Sequence, residues 1–187
     1  MGRTAVEPDD GLPAPPELLA LNASQTGAIK LNRVVVPREL VIAGPVENVM
    51  KHGSGGGAGS LTTSALAIGL SSAALKRLGE EAEKRPDLWD IHRPLANEWQ
   101  QLKSDLLAAL ALETAATAAL SSESIRRRAN SLVLRMTQAY LAATKGAGFL
   151  GQHPASRMVR EAMFFLVWSC PQPVLTAQLQ EFACVLE

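Results

Sequence analysis

Thr144, Lys145, Gly146, Gly148 and Ser169 fall within residues 144–169, the stretch whose residue types could carry chemistry. Gly146 and Gly148 can take backbone angles barred to other residues, and so admit a ligand or a neighbouring backbone at close range. Beside them, Thr144 and Lys145 could reach a phosphate with a hydroxyl and an ammonium. Gly146 is equally the natural stop of a helix ending there, and the residues alone leave both roles open. Ser169 offers only a hydroxyl, too weak a base to take a proton from carbon unaided. His52, His92 and His153 stand singly, none paired at i+3 or i+4 with a carboxylate, which removes support for a metal site. His153, just before Pro154, is expected to hydrogen-bond within its loop. Cys170 and Cys184 lack CxxC or Cys/His ligand spacing and read as free thiols.

These residues need helices to hold them. Apolar residues make up 47% of the chain and aromatics only 4%, a balance that favours long helices over sheet. Periodicity predicts a first helix over 61–84, with Leu61, Ala65, Ile68, Ser72 and Leu75 on one face. Small residues at Ala65, Gly69 and Ala73 would let it pack closely. Lys84, Arg85 and Pro86 end it. A second helix is predicted over 94–120, with a stripe of Trp99, Leu102, Leu106, Leu110 and Thr117. A third starts near Ser122, where the serines offer caps, and faces inward with Leu132, Val133, Met136, Tyr140 and Ala143. The fourth, 155–168, is apolar on nearly all sides and should be buried centrally or at a subunit contact. A short fifth covers 174–186. The expected fold is mainly α, an antiparallel four-helix bundle with a short N-terminal β segment.

The front of the chain differs. Residues 1–25, rich in proline and acidic, are expected to form a flexible leader. From Thr26 the run TGAIKLNRVVVP has strand chemistry, ended by Pro37, and Val41-Ile42 could give a second short strand. One or two strands cannot make a stable sheet, so 26–52 reads as a β-strand remnant that packs on the helices, pairs with another chain or has lost its sheet. GSGGGAGS at 53–60 lacks a following Lys-Ser/Thr and is better read as a flexible linker than as a phosphate loop; the helical bundle then spans 61–187.

Charge and hydropathy exclude whole classes. Eighteen basic residues balance eighteen acidic ones, so the basic surplus that nucleic-acid binding requires is missing. Arg126, Arg127 and Arg128, spread around a helix turn, read as a solvated helix start. The longest apolar stretch, 163–168, falls far short of the ~20 residues that span a bilayer. No signal-peptide core is visible, and a cytoplasmic protein is expected.

The glycine turn, Pro154 and the helix REAMFFLVWSC together resemble the C-terminal helical domain of the acyl-CoA dehydrogenases, over about residues 22–187. That family shows a glycine pair, a loop with proline, an Arg-Asp-Ala helix and then a catalytic glutamate. Arg160-Glu161-Ala162 stands at the Arg-Asp-Ala without a gap. The same register sets Trp168 at the usual tyrosine, Ser169 at the glutamate and Cys170 at the following glycine. The resemblance implies FAD as cofactor, with Gly146 as the carried-over flavin-approach residue and Thr144 and Lys145 beside it; Lys145 takes the first place of the glycine pair, and Ala142 that of a preceding glutamine. It also implies acyl-CoA thioesters as substrates for CH–CH oxidation, lipid metabolism as the setting, and a homo-oligomer or a partner flavoprotein subunit. With Ser169 in place of the base, the chain alone is expected to be inactive. Glu161 should pair with Arg157 or Arg160, and the alternative base position on the first helix, within GAGSLTTSALAIG, has no acid. The family's Arg-x-x-Phe-Gly motif has no intact match, although Arg85 and Arg93 are basic. The family's N-terminal helical domain and most of its β-domain have no counterpart here. A flavin monooxygenase on the same scaffold, needing no α-proton base, and a non-catalytic helical oligomerisation module are the alternatives.

Overall fold

In the computed structural model, residues 14–30, 33–47, 61–111, 117–168 and 170–185 are described. The chain divides into two units, 1–49 and 50–187.

The first unit contains no strand among its described residues; its regular pieces are the 3-10 turns Asn22–Ser24 and Arg38–Leu40. The strand expected from Thr26 and the second at Val41-Ile42 are therefore corrected. The cause is local. Arg33 takes a left-handed φ of 50°, which interrupts an extended run. Pro37 brings no N–H for a ladder, and its carbonyl accepts from Leu40 N–H at 2.9 Å to close a turn. Val34, Val35 and Val36 remain exposed, as side chains without a second strand must. The expected linker at 53–60 lies outside the described residues.

The second unit is helical. Its elements are α1 (Leu61–Lys84), α2 (Trp89–Ala111), α3 (Ser122–Ala143), the one-turn α4 (Lys145–Gly148), α5 (Pro154–Val167) and α6 (Gln172–Phe182). Helix α3 is the hub and packs against α1, α2, α5 and α6, while α1 also touches α2 and α5. Its inward face is the predicted one: Leu132, Val133, Met136, Tyr140 and Ala143 are all buried. Leu78, Leu102 and Ile125 complete the centre of the core.

Three expectations shift. On α1 the small residues that face the core are Ser64, Ala67, Ser71 and Ala74, whereas Ala65, Gly69 and Ala73 face outward. Each residue turns a helix by about 100°, and the large side chains Ile68, Leu75 and Leu78 decide which face turns in. Buried Ser71 satisfies its hydroxyl by donating to Ala67 O at 2.9 Å. Helix α2 begins at Trp89, ahead of Pro94, and ends at Ala111, so Thr117 is not part of its stripe. Its first turn is held by Trp89 edge-on to His92, centroids 4.9 Å apart, and further along Trp99 Nε1–H donates to Ile68 O of α1 at 3.1 Å. Helix α5 buries Ala155, Met158, Ala162 and Phe165 but leaves Met163, Val167 and Trp168 exposed, so it is covered on one side only.

Helix α3 starts where the serine caps foretold. Ser121 Oγ accepts from Ser124 N–H at 3.2 Å, and Glu123 lies in the positive first turn. Ser121→Ala should cost about 1 kcal/mol, read as a lower urea midpoint at unchanged slope; an unchanged midpoint would show that the cap contributes nothing.

Candidate functional site

The turn from α3 to α5 is built from residues that each settle a helix end. Thr144 ends α3, and its hydroxyl donates to Leu141 O at 2.8 Å. Lys145 then takes a left-handed φ of 53°, and α4 follows. The stop of α3 thus falls on Thr144 and Lys145, not on Gly146. Gly146 has no positive φ, is exposed, and a Cβ added to it would meet nothing within 4 Å. Close approach belongs to Gly148 instead, which is buried and where a Cβ would collide with Thr144 Oγ1. Because Lys145 holds a backbone geometry that favours glycine, Lys145→Gly should be stability-neutral or raise stability by up to about 1 kcal/mol. A thermal midpoint clearly below that of the parent chain would contradict this.

The loop closes on α5 through His153, whose Nδ1 accepts from Ala155 N–H at 3.1 Å, the loop hydrogen bonding expected of it. Pro154 follows at the first helical position, where its missing N–H is harmless. Arg160 donates to Ser156 Oγ at 2.5 Å and to Gly151 O at 3.3 Å, while Arg157 pairs with Glu161 at 3.5 Å. Glu161 is therefore engaged in a partly exposed ion pair on its own helix. Arg85 plugs the end of α3 by donating to Ala143 O, and Arg93 makes only a surface pair with Asp90.

Ser169 lies outside the described residues. Its neighbours Trp168 and Cys170 are placed at the far end of α5, and the polar groups there are the ones sequence reasoning missed. Arg126 is completely buried, not solvated. Its Nε donates to Asn130 Oδ1 and its Nη2 to Trp168 O, both at 2.9 Å. Asn130 Nδ2 in turn donates to Phe165 O at 3.0 Å. Two carbonyls at the negative end of α5 are thus capped by a cation and an amide from α3. Arg128 is spent on Asp105, 2.7 Å away, and Arg127 is exposed. The signal was present: Arg126 stands seven residues before Val133 and Asn130 three before it, on the stripe that periodicity had already turned inward.

These contacts make α3 and α5 antiparallel, and they separate the expected site residues. Thr144, Lys145 and Gly146 gather at one end of α5, with Trp168 and Cys170 at the other. Fourteen residues at about 1.5 Å each put roughly 20 Å between them. No single small group can be touched by both ends.

The proton affinity of His92 is altered by its surroundings. Burial lowers its pKa below the ordinary 6.5, opposed by a hydrogen bond with the Leu75 backbone, and Arg93 lowers it further. Gly79 of α1 lies against its ring. A depressed folded pKa means that the unfolded chain binds more protons, so the stability His92 contributes is present above pH 6.5 and is lost as pH falls through the folded value. Urea midpoints should decline on mild acidification, and less so in His92→Gln; parallel profiles for the two chains would count against it.

Among the described residues no cluster of His, Cys, Asp and Glu could hold a metal ion, and no helix is long and apolar enough to cross a membrane.

No protein-family model matches the chain, and no curated protein matches it. A solved structure described as an electron transferring flavoprotein of Acidaminococcus fermentans, from work towards a mechanism of flavin-based electron bifurcation, is similar, with a TM-score of 0.54 at 15% identity. The match covers 65% of this chain and 35% of that one, so this chain spans about a third of its neighbour's length. At such identity the likeness concerns the fold alone.

Proposed function

We propose that this chain supplies the helical part of a flavin-dependent oxidoreductase related to the acyl-CoA dehydrogenases, an antiparallel four-helix bundle that works with a second polypeptide or a further copy of itself. The observation that supports the proposal is the sequence of the turn from α3 to α5, where Gly146, Pro154 and Arg160-Glu161-Ala162 follow one another without a gap in the order expected of that family. The flavoprotein likeness in fold agrees with it.

The residues present fit one edge of FAD and no more. Lys145 is exposed, and Gly146 is open to solvent with space where a side chain would be, so an ammonium and an uncrowded backbone could meet a phosphate there. Thr144 is less free, because its hydroxyl is already donated to Leu141. Bound FAD would supply the two-electron acceptor for CH–CH oxidation of an acyl-CoA thioester. This chain's own part would be to hold the phosphate edge and set the end of α5. With serine at 169 and Glu161 paired to Arg157, neither of these two positions offers a free carboxylate to take an α-proton.

Titration with FAD tests this directly. The purified chain alone should show weak flavin binding or none. Co-purification from native extract should bring down a flavoprotein partner with bound flavin absorbance, weakened by Lys145→Glu. Isolation as a lone apoprotein, with no flavin taken up under any condition, would end the proposal.

A second reading is favoured by exposed Met163, Val167 and Trp168: a non-catalytic helical module that associates through α5. It requires self-association or partner binding without flavin, and a strict monomer in sedimentation would remove it.

A further inference from the structure

The first four turns of α1 carry no ionisable side chain: from Leu61 to Leu75 every residue is apolar, glycine, serine or threonine. On a helix at the edge of a bundle, the side turned from the core is ordinarily charged. Here that side is Thr62, Ala65, Leu66, Gly69 and Ala73, all exposed, opposite the buried Ala67, Ile68, Ser71, Ala74 and Leu75. Water thus meets about 22 Å of helix that offers it mainly hydrocarbon.

Within that face one residue projects and another recedes. Leu66 is 60% exposed, while Gly69, nearly one turn further on, has no side chain, and a Cβ added there would meet nothing within 4 Å. A projecting leucine and an open gap on one face are what a two-fold contact requires, because each copy then supplies knob and hole to the other. With two α1 helices antiparallel about an axis at Gly69, Leu66 of each enters the gap that Gly69 leaves beside Ala73 of the other. The charge pattern shares that centre. The first ionisable residues, Lys76 and Arg77, stand seven and eight places past Gly69, level with the uncharged Thr62 and Leu61 of the other copy, so no like charges are brought together. We propose that the outer face of α1 is the surface through which two copies of this chain associate. The inference rests on the proposed work with a further copy and gives it a face, on α1 and not on the exposed side of α5. One helix pair buries less than the ~1,200 Å² at which stable interfaces begin, so the association is weak and reversible.

Sedimentation equilibrium of the full chain should show a monomer passing to a dimer as concentration rises. Gly69→Arg fills the gap and sets two cations together on the axis, so it should weaken the association by about tenfold or more. The thermal midpoint at low concentration should not fall, since position 69 has room for a side chain. Leu66→Glu removes the knob and should act alike. Under mild oxidation, Gly69→Cys should give a disulfide joining position 69 of both copies, told apart by peptide mapping from any bridge at Cys170 or Cys184. Val167→Glu, on α5, should leave the association unchanged. A strict monomer at every concentration overturns the inference, and so does a dimer that survives both Gly69→Arg and Leu66→Glu. If that surviving dimer is lost in Val167→Glu, association through α5 stands while the α1 face falls. Flavin brought by a separate polypeptide is read by co-purification, and its outcome is independent of these.

Discussion

Asn130→Leu should destabilise the helical unit by about 3 kcal/mol, the largest loss expected of any single replacement outside the apolar core. The size of the side chain barely changes, so the effect is not a cavity. It comes from two groups stranded together: Arg126 Nε loses its acceptor and Phe165 O loses its donor, both out of reach of water. An orphaned buried polar group costs about 1–3 kcal/mol, and more when it is charged. Arg126→Met makes the contrast. It removes the charge along with its contacts, and apolar replacement of buried charge is often tolerated. It should therefore cost less than Asn130→Leu, even though it deletes the larger polar group. The double variant should be more stable than the two losses added together would give, because Asn130 no longer has a cation to strand. Urea midpoints of the four chains provide the cycle. Strict additivity would show that the two side chains act independently, contrary to their 2.9 Å contact.

That pair also marks the limit of what could be read in advance. Helix α3 was legible at its start and along its apolar face, because its apolar residues recur at three and four positions and Ser121 stands at its head; periodicity and capping act within one segment. The face of α1 was not, since alanine, serine and glycine occur all around it, and only packing within the core shared with other helices selects Ala67 over Ala65. Arg126 was misread because charge outweighs periodicity in any sequence argument, while the Trp168 carbonyl that accepts from it lies 42 residues away. The strand at 26–36 had the right composition but no partner, and strand pairing is not a local property. At the candidate site, the glycine turn was found and its parts were redistributed: Lys145 takes the left-handed backbone expected of the glycines, and of Gly146 and Gly148 only Gly148 makes the tight contact.

That exchange yields an expected result for the turn itself. Gly148→Ala should destabilise by about 1–3 kcal/mol, whereas Gly146→Ala should be neutral or stabilise by up to about 1 kcal/mol. At 148 the new methyl would run into Thr144 Oγ1 and press on Leu141 at 3.1 Å, and Thr144 cannot rotate away without giving up its hydrogen bond to Leu141 O. At 146 the methyl enters open space on a helical turn, and the unfolded chain loses freedom. Thr144→Ala in the Gly148→Ala background should recover most of the loss, because it takes away the atom in the way. The same pair of glycines separates fold from cofactor. If Gly146 is the place where a phosphate of FAD approaches, Gly146→Ala will weaken flavin uptake in the assembled protein while leaving its thermal midpoint unchanged or higher. Gly148→Ala will lower the midpoint first and flavin uptake only in proportion. Flavin binding indifferent to Gly146→Ala would move the approach point elsewhere and leave the turn a structural joint between α3 and α5.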